Sequence, residues 1–414
     1  MKKYDTYKDS GNQWIGQVPE HWCLYSLKYY LNLQKGRKPE VFVAEGDLPY
    51  VTMDYIRSRE NKTCLYPSST EGLVPINDDD MLVLWDGANA GEIVKAKKGF
   101  LSSTMAVLDF DKKIGLSQYL FYLLKKMEPT FKTFANGTTI PHFDSSILLD
   151  YKYPLPPLSE QQAIVEFLDK KTGQIDQSIA LLETQKTDLQ AYRQALITET
   201  VTKGLNPNAP MKDSGNQWIG QVPEHWCLYS LKYYLTLQKG RKPEVFVEEG
   251  DLPYVTMDYI RSRENKSCLY PSSAEGLVPI SDDDILVLWD GANAGEIVKA
   301  KKGFLSSTMA VLDFDKKIGS HQYLFYLLKQ MEPIFKTFAN GTTIPHFDSS
   351  ILLDYKYPLP PLSEQQDIVE YLDKKTSDID AALKQIDTQI ADLQAYRTAL
   401  ISEVVTGKID VRNQ

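Results

Sequence analysis

Displaced by 204 residues, this sequence lies on itself, and no other feature restricts its fold as strongly. Of the 155 positions in 8–162, ten differ from their partners in 212–366: Asn32/Thr236, Ala44/Glu248, Thr63/Ser267, Thr70/Ala274, Asn77/Ser281, Met81/Ile285, Leu116/Ser320, Ser117/His321, Lys126/Gln330 and Thr130/Ile334. A period of this length marks a repeated domain rather than a solenoid unit. Whatever fold one copy adopts, the chain contains twice.

Each copy runs into a stretch that reads as one long helix, 159–203 and 363–406. In the first, Leu168, Ile175, Leu182, Leu189 and Leu196 recur every seventh residue, with Val165, Thr172, Ile179, Lys186 and Arg193 three residues before each. The second keeps the pattern with Leu372, Ile379, Ile386, Leu393 and Leu400, preceded by Val369, Thr376, Leu383, Ile390 and Arg397. Each is an a/d seam, and two such seams in one chain are expected to pair. Prolines (Pro154, Pro156, Pro157; Pro358, Pro360, Pro361) forbid an earlier start. Ser159 and Ser363, each with a glutamine three residues on, predict capping boxes, and Gly204 and Gly407 predict the ends. A helix over 159–203 would extend ~67 Å, more than a compact domain needs, so a spacer rod is expected. Lys186, at an a position matched by Ile390, reads as a device that fixes how the two unlike helices pair, against a lysine that snorkels off the rod.

Within each copy, Trp14-Ile15-Gly16 and Pro19-Glu20-His21-Trp22 predict a turn into a short amphipathic helix over 24–33, ended by Gly36. Apolar runs at 48–53, 81–85, 92–96 and 104–110 predict strands. The spacing of Tyr119, Leu120, Leu123 and Leu124 predicts a helix over 116–127, with a second short one over 129–135. The stretch 136–142 is a loop by composition, and 147–153 predicts a last strand. Each copy is therefore an α+β domain of about 150 residues.

Hydrophobic residues at 43% and charged ones at 24% place the chain among globular proteins. Cys23, Cys64, Cys227 and Cys268 show neither zinc spacing nor a disulfide framework and are expected to be buried, reduced thiols. The first residues lack a signal peptide's apolar core, and no apolar run is long enough to span a membrane, so a cytoplasmic location is expected. The net charge of −9 argues against a strong autonomous nucleic-acid binder. Charge is local, however: Lys35, Arg37 and Lys38, then Arg57, Arg59 and Lys62, then Lys95, Lys97 and Lys98 form basic clusters, the last better read as solvated lysines.

Three segments carry a family resemblance: Pro154-Leu155-Pro156-Pro157-Leu158-Ser159-Glu160-Gln161-Gln162 leading into Ile164-Val165 and Ile175-Asp176; the helix end Ala195-Leu196-Ile197-Thr198-Glu199-Thr200-Val201-Thr202; and Met211-Lys212-Asp213-Ser214-Gly215 leading to Trp218-Ile219-Gly220. All recur in the other copy, the second and third with substitutions, and together they make the chain resemble the specificity subunit of a Type I restriction-modification system. The resemblance implies target-recognition domains at 1–158 and 205–362, a central spacer helix at 159–204, a C-terminal one at 363–407 and a tail at 408–414. The implied fold is two globular α+β target-recognition domains separated by a long antiparallel two-helix coiled coil with pseudo-two-fold symmetry. Each domain would read half of a bipartite site on double-stranded DNA. Two modification subunits would dock to methylate an adenine on each strand, and restriction subunits would join for cleavage. The chain itself would be non-catalytic and bind no cofactor, S-adenosylmethionine belonging to the modification subunits. Family members generally carry dissimilar domains; here the copies are nearly identical, which implies an interrupted inverted repeat with a spacer of several base pairs.

The residues agree with a non-catalytic role. An adenine methyltransferase needs an Asn/Asp-Pro-Pro-Tyr/Phe run and a Gly-rich donor turn; Asn206-Pro207-Asn208 lacks the second proline and the aromatic, and 87–91 is too short. No P-loop occurs, and His21, His142, His225, His321 and His346 show no metal spacing. DNA reading calls for Arg, Asn, Asp, Thr and Tyr in loops at strand ends. Arg37 and Lys38 fit a phosphate or guanine, a solvated turn being equally open. Thr52, Asp54, Tyr55, Arg57 and Arg59 follow a strand and are the best placed for base contact, against an ion-paired strand edge. Asn89 offers an amide for adenine, with Trp85 assigned to the core, while Thr138, Thr139 and His142 suit phosphate or a plain connector. Their counterparts are Arg241, Lys242, Thr256, Asp258, Tyr259, Arg261, Arg263, Asn293, Thr342, Thr343 and His346. Two other classes stay open, a scaffold that binds only protein and an orphan decoy that sequesters modification subunits.

Overall fold

The computed structural model describes residues 2–58, 64–135, 141–262, 269–339 and 345–412. Its two long helices are Leu158–Lys203, here the central helix, and Leu362–Val405, the C-terminal helix. The chain divides into one unit of Met1–Leu182 with Asp387–Gln414 and another of Glu183–Ile386. Each unit thus combines one copy of the repeated domain, the start of the helix that follows it and the end of the other helix.

In the first unit, β4 (Leu31–Lys35), β9 (Met81–Leu84), β10 (Ile93–Lys95) and β12 (Met105–Phe110) form an antiparallel sheet in the order β10-β9-β12-β4. The copy has four smaller sheets besides. One joins β6 (Tyr50–Val51), β11 (Gly99–Leu101) and β8 (Pro75–Ile76); the others pair β1 (Tyr7–Asp9) with β2 (Gln17–Pro19), β3 (Cys23–Ser26) with β13 (Lys152–Leu155), and β5 (Phe42–Val43) with β7 (Tyr66–Pro67). The helices of this copy are α1 (Met53–Arg57), α2 (Ser117–Thr133) and α3 (Ser145–Asp150). The second copy repeats these elements at the same offset.

All four residues of β9 are buried because both faces of the sheet are covered. Met81 and Val83, with Ala106 and Leu108, face a large core containing α2, whereas Leu82, Leu84 and Met105 face a smaller one with Val51, Tyr55 and Leu101. Two covered faces turn strand alternation into a continuous apolar run. The large core is completed by Ile164, Val165, Leu168 and Ile175 of the central helix and by Leu400, Ile401, Val404 and Val405 of the C-terminal helix. The two segments are antiparallel: Asp176 pairs with Arg397 at 3.1 Å, and Tyr119, beside the start of the central helix, donates to the Val405 carbonyl at 3.2 Å. In the second unit Ile197 and Val201 join Ile368, Val369 and Leu372, and Arg193 meets Asp380 at 3.4 Å.

In the central helix the heptad seam is observed as a gradient, while in the C-terminal helix Leu372, Ile379, Ile386 and Leu400 are all buried. Val165, Leu168, Thr172 and Ile175 are buried, while Leu182, Lys186, Leu189 and Arg193 are only half-buried. The helix starts differ from the expected capping boxes. The Pro157 carbonyl accepts from the amides of Glu160 and Gln161, both at 2.9 Å, and Ser159 lies inside the first turn. Gln162 bonds Glu166 at 2.9 Å, and the buried Gln161 side chain accepts from the Leu116 amide at 2.8 Å and donates to the Pro156 carbonyl at 2.9 Å. Glu160 accepts from the Tyr4 hydroxyl and, at 3.0 Å, from Trp22 Nε1, and meets His21 Nε2 at 2.8 Å. Serine is displaced from the cap because the next two polar side chains are drawn into the domain.

Four local expectations are corrected. The stretch 24–33 is strand, a 3-10 turn at Leu27–Tyr29 and strand, because pairing with β12 from Leu31↔Phe110 to Lys35↔Ala106 satisfies its backbone. The end of 48–53 turns helical at Met53, where Thr52 caps α1 by accepting from the Tyr55 amide at 3.3 Å. Pro129 lies inside the single helix α2, although a proline there costs about 3 kcal/mol; buried Met127, Thr130 and Phe131 on either side hold it. The stretch 147–153 begins in α3, which Asp144 caps by accepting from the Ser146 amide at 2.9 Å. The cysteines differ too: Cys23 and Cys227 are exposed and Cys64 is partly so, while Cys268 lies outside the described residues. Cys23 opens a strand paired on one side only, which leaves it open to solvent.

Candidate nucleic-acid interface

The turn that follows β9 gathers side chains from three distant parts of the chain. It is held by bonds from the Ala90 amide to the Gly87 carbonyl at 2.9 Å and from the Glu92 amide to the Asn89 carbonyl at 3.1 Å. Gly91 adopts a φ of +89°, and a Cβ there would lie 2.7 Å from that of Phe131, so only glycine fits. The segment before α3 docks beside it through Gly87 to Pro141 at 3.0 Å and Phe143 to Trp85 at 2.7 Å, which places Asp86 opposite His142. Trp85 is half-buried, packing edge-on against Phe143, with Lys35 over its ring, 5.4 Å from the centre.

Asp86 is the hub of this cluster. Its Oδ1 meets His142 Nδ1 at 2.6 Å and its Oδ2 accepts from Lys35 Nζ at 2.9 Å. Partial burial pushes the Asp86 carboxyl up, but the hydrogen bonds from Lys35 and His142 outweigh it and hold the group below the ordinary aspartate value. At the other end of the turn, Glu92 accepts from Arg57 Nη2 at 2.7 Å. The carboxylates are rooted and the cations project: Asp86 and Glu92 are 21% and 17% exposed, Lys35, Arg57 and His142 42%, 51% and 57%. Exposed Asn89 lies between them on the same turn. The second copy repeats the arrangement with Lys239 and His346 on Asp290 at 2.8 and 2.6 Å, Arg261 on Glu296 at 2.6 Å, and Asn293 on the turn. Such a surface offers directed donors and acceptors to a base edge. Among the described residues no His, Cys, Asp and Glu group could hold a metal ion.

The structure therefore brings together Arg57, Asn89 and His142 but not all the expected residues. Tyr55 and Tyr259 are buried in the smaller cores, and burial raises the Tyr55 phenol's pKa. Because the chain turns helical at Met53, residue 55 swings inward, and Lys97 clamps the turn by donating to the carbonyls of Tyr55 at 3.0 Å and Ser58 at 2.9 Å. Thr52 and Thr256 spend their hydroxyls on helix caps, while Asp54 and Asp258 are exposed in the first turn. Arg37 and Lys38 are exposed along a separate groove of about 380 Å³ shared with Glu40 and Glu71, and Arg241 and Lys242 are exposed likewise. Arg59, Thr138, Thr139, Arg263, Thr342 and Thr343 lie outside the described residues. Lys97 is engaged rather than solvated. The sequence reading missed the carboxylates Asp86 and Glu92 and the role of Lys35; the available signal was an acid at each end of a glycine-bounded turn.

Comparison with known proteins agrees with this picture of a duplicated recognition module. The family model for the Type I restriction modification DNA specificity domain matches twice, at residues 19–190 and 223–391. The chain is 32% identical to the Type I restriction enzyme MjaVIII specificity subunit of Methanocaldococcus jannaschii, over 96% of this chain and 95% of that protein. It is 22% identical to the Type I restriction enzyme EcoDI specificity subunit of Escherichia coli, over 95% and 90%. In fold it resembles a solved chain from work on complex assembly and conformational transition of the type I R-M system, with a TM-score of 0.71, 18% identity, and 95% of this chain and 99% of that one covered. With two family matches and a relative aligned from end to end, the chain belongs to the family of Type I restriction-modification specificity subunits.

Proposed function

We propose that this chain reads a bipartite DNA site for a Type I complex and docks two modification subunits, which carry S-adenosylmethionine and methylate adenine, together with restriction subunits. The observation that carries the reading is the twofold occurrence of one surface, Lys35, Arg57, Asn89 and His142 around a single turn and their equivalents in the second copy. The chain serves recognition and leaves the chemistry to its partners, in the cytoplasm, where the host DNA lies; among the described residues no helix is long and apolar enough to cross a membrane. Identical reading surfaces, with the antiparallel helix order expected from the sequence, make the target an interrupted inverted repeat. None of the ten differences between the copies falls on these four residues.

Methylome mapping of cells carrying the system tests this directly, the expected result being two half-sites that are reverse complements. Unrelated half-sites would show that the copies do not read alike. The net charge of −9 favours a second reading, a scaffold that binds only protein. A gel shift separates the two: weak, salt-sensitive binding by the chain alone that tightens with the modification subunit supports DNA reading, while equal affinity for target and scrambled duplex in the full assembly supports the scaffold.

A further inference from the structure

We infer that Glu92 and Glu296 are positioning residues that aim Arg57 and Arg261 at a guanine in each half-site; this rests on the DNA-reading function proposed above. Arg57 closes α1, a short helix capped by Thr52 and clamped by Lys97, so its Cα is well fixed. Its side chain is half exposed, and among the described residues only Nη2 is bonded, to a Glu92 carboxylate that is itself 17% exposed and set on a turn held by hydrogen bonds. A partly buried acceptor on one nitrogen limits the rotation of a long side chain before the ligand arrives and so reduces the entropy lost on binding. A planar guanidinium held this way matches the O6 and N7 acceptors of guanine.

Charge decides between base and phosphate. The pair of Arg57 and Glu92 has no net charge, and its carboxylate would repel an approaching phosphate, so it is a poor clamp for the backbone. Lys35 is different. It too is paired, with Asp86, but its ammonium is a compact point charge with two further N–H donors that can turn to a phosphate oxygen. The two cations on one turn therefore divide the work, Arg57 reading sequence and Lys35 holding the strand. The second copy repeats the Arg261 to Glu296 bond at 2.6 Å and the Lys239 to Asp290 bond at 2.8 Å.

The test uses the full chain assembled with its modification subunits and duplexes carrying the mapped target or single base-pair changes, at several salt concentrations. Arg57→Ala with Arg261→Ala should abolish discrimination at one G·C pair in each half-site, a loss of roughly 5- to 150-fold, and leave the salt slope unchanged. Glu92→Gln with Glu296→Gln should weaken discrimination at that same pair, leaving the thermal midpoint and the other positions unaffected. Lys35→Ala with Lys239→Ala should weaken all duplexes alike and reduce the salt slope by about one. The inference is overturned if the arginine variant weakens all duplexes evenly and flattens the salt slope, or if the glutamine variant leaves discrimination untouched. If the unmodified complex does not distinguish the target from any changed duplex, the DNA-reading function itself fails.

Discussion

Asp86 and Glu160 are both hydrogen-bonded carboxylates, and their surroundings give them different consequences. The Asp86 carboxyl is held below the unfolded aspartate value of about 3.9. A lowered pKa contributes stability that is present above about pH 4 and is lost as pH falls through the folded value. Asp86→Asn with Asp290→Asn should therefore flatten the fall in thermal midpoint below about pH 4. Glu160 is 4% exposed and gathers Tyr4, His21 and Trp22, and burial, reinforced by the Glu160 carboxylate, pushes the Tyr4 phenol far above its usual range. Glu364 is 26% exposed and, among the described residues, holds His225 and Trp226, since Asn208 stands where Tyr4 would. Each donor orphaned in a buried site costs about 1–3 kcal/mol. Glu160→Ala should thus destabilise by several kcal/mol in urea unfolding, and clearly more than Glu364→Ala; equal losses would contradict this account.

Among the elements, the long helices show where a heptad pattern is informative. Leu168 and Leu372 occupy d positions and are fully buried, whereas Leu182, in the same pattern, is half exposed. Truncating a buried leucine costs about 2–5 kcal/mol and the cost falls with exposure. Leu168→Ala and Leu372→Ala should therefore reach that range in chemical denaturation, and Leu182→Ala should fall below it. The seam was legible because its period needs no tertiary information. The short elements were not. Residues 24–33 and 147–153 each carry a spacing compatible with either helix or strand, and what decided was a partner strand for one and the Asp144 cap for the other.

At the scale of the molecule, each unit is closed by a helix end that belongs to the other repeat in sequence. Leu400, Ile401, Val404 and Val405 complete the first core, and Ile197 and Val201 belong to the second, with Leu196 packed against it and Thr200 at the position of Val404. A fragment covering 1–204 lacks the segment that closes its own core but carries an equivalent one. It should form a two-fold dimer, weaker than the intact pairing because Thr200 replaces a buried valine. Sedimentation over a range of concentrations checks this, and a fragment that stays monomeric at the highest would show that the divergence of the helices prevents the exchange.

The duplication, the heptad seams and the proline and glycine limits of the long helices were determined by the sequence alone, since each is a local pattern or a repeat that reads the same in any surroundings. The family followed from segments at the same joints. The site was decided by tertiary structure. Arg57, Asn89 and His142 meet because a turn with a carboxylate near each end receives α1, β4 and the segment before α3, and no sequence spacing encodes that meeting. Tyr55 looks from its neighbours like a reader of bases, yet one helical turn after β6 places it in the core. Side-chain chemistry is written residue by residue, but the direction in which each side chain points depends on pairings made across the whole domain.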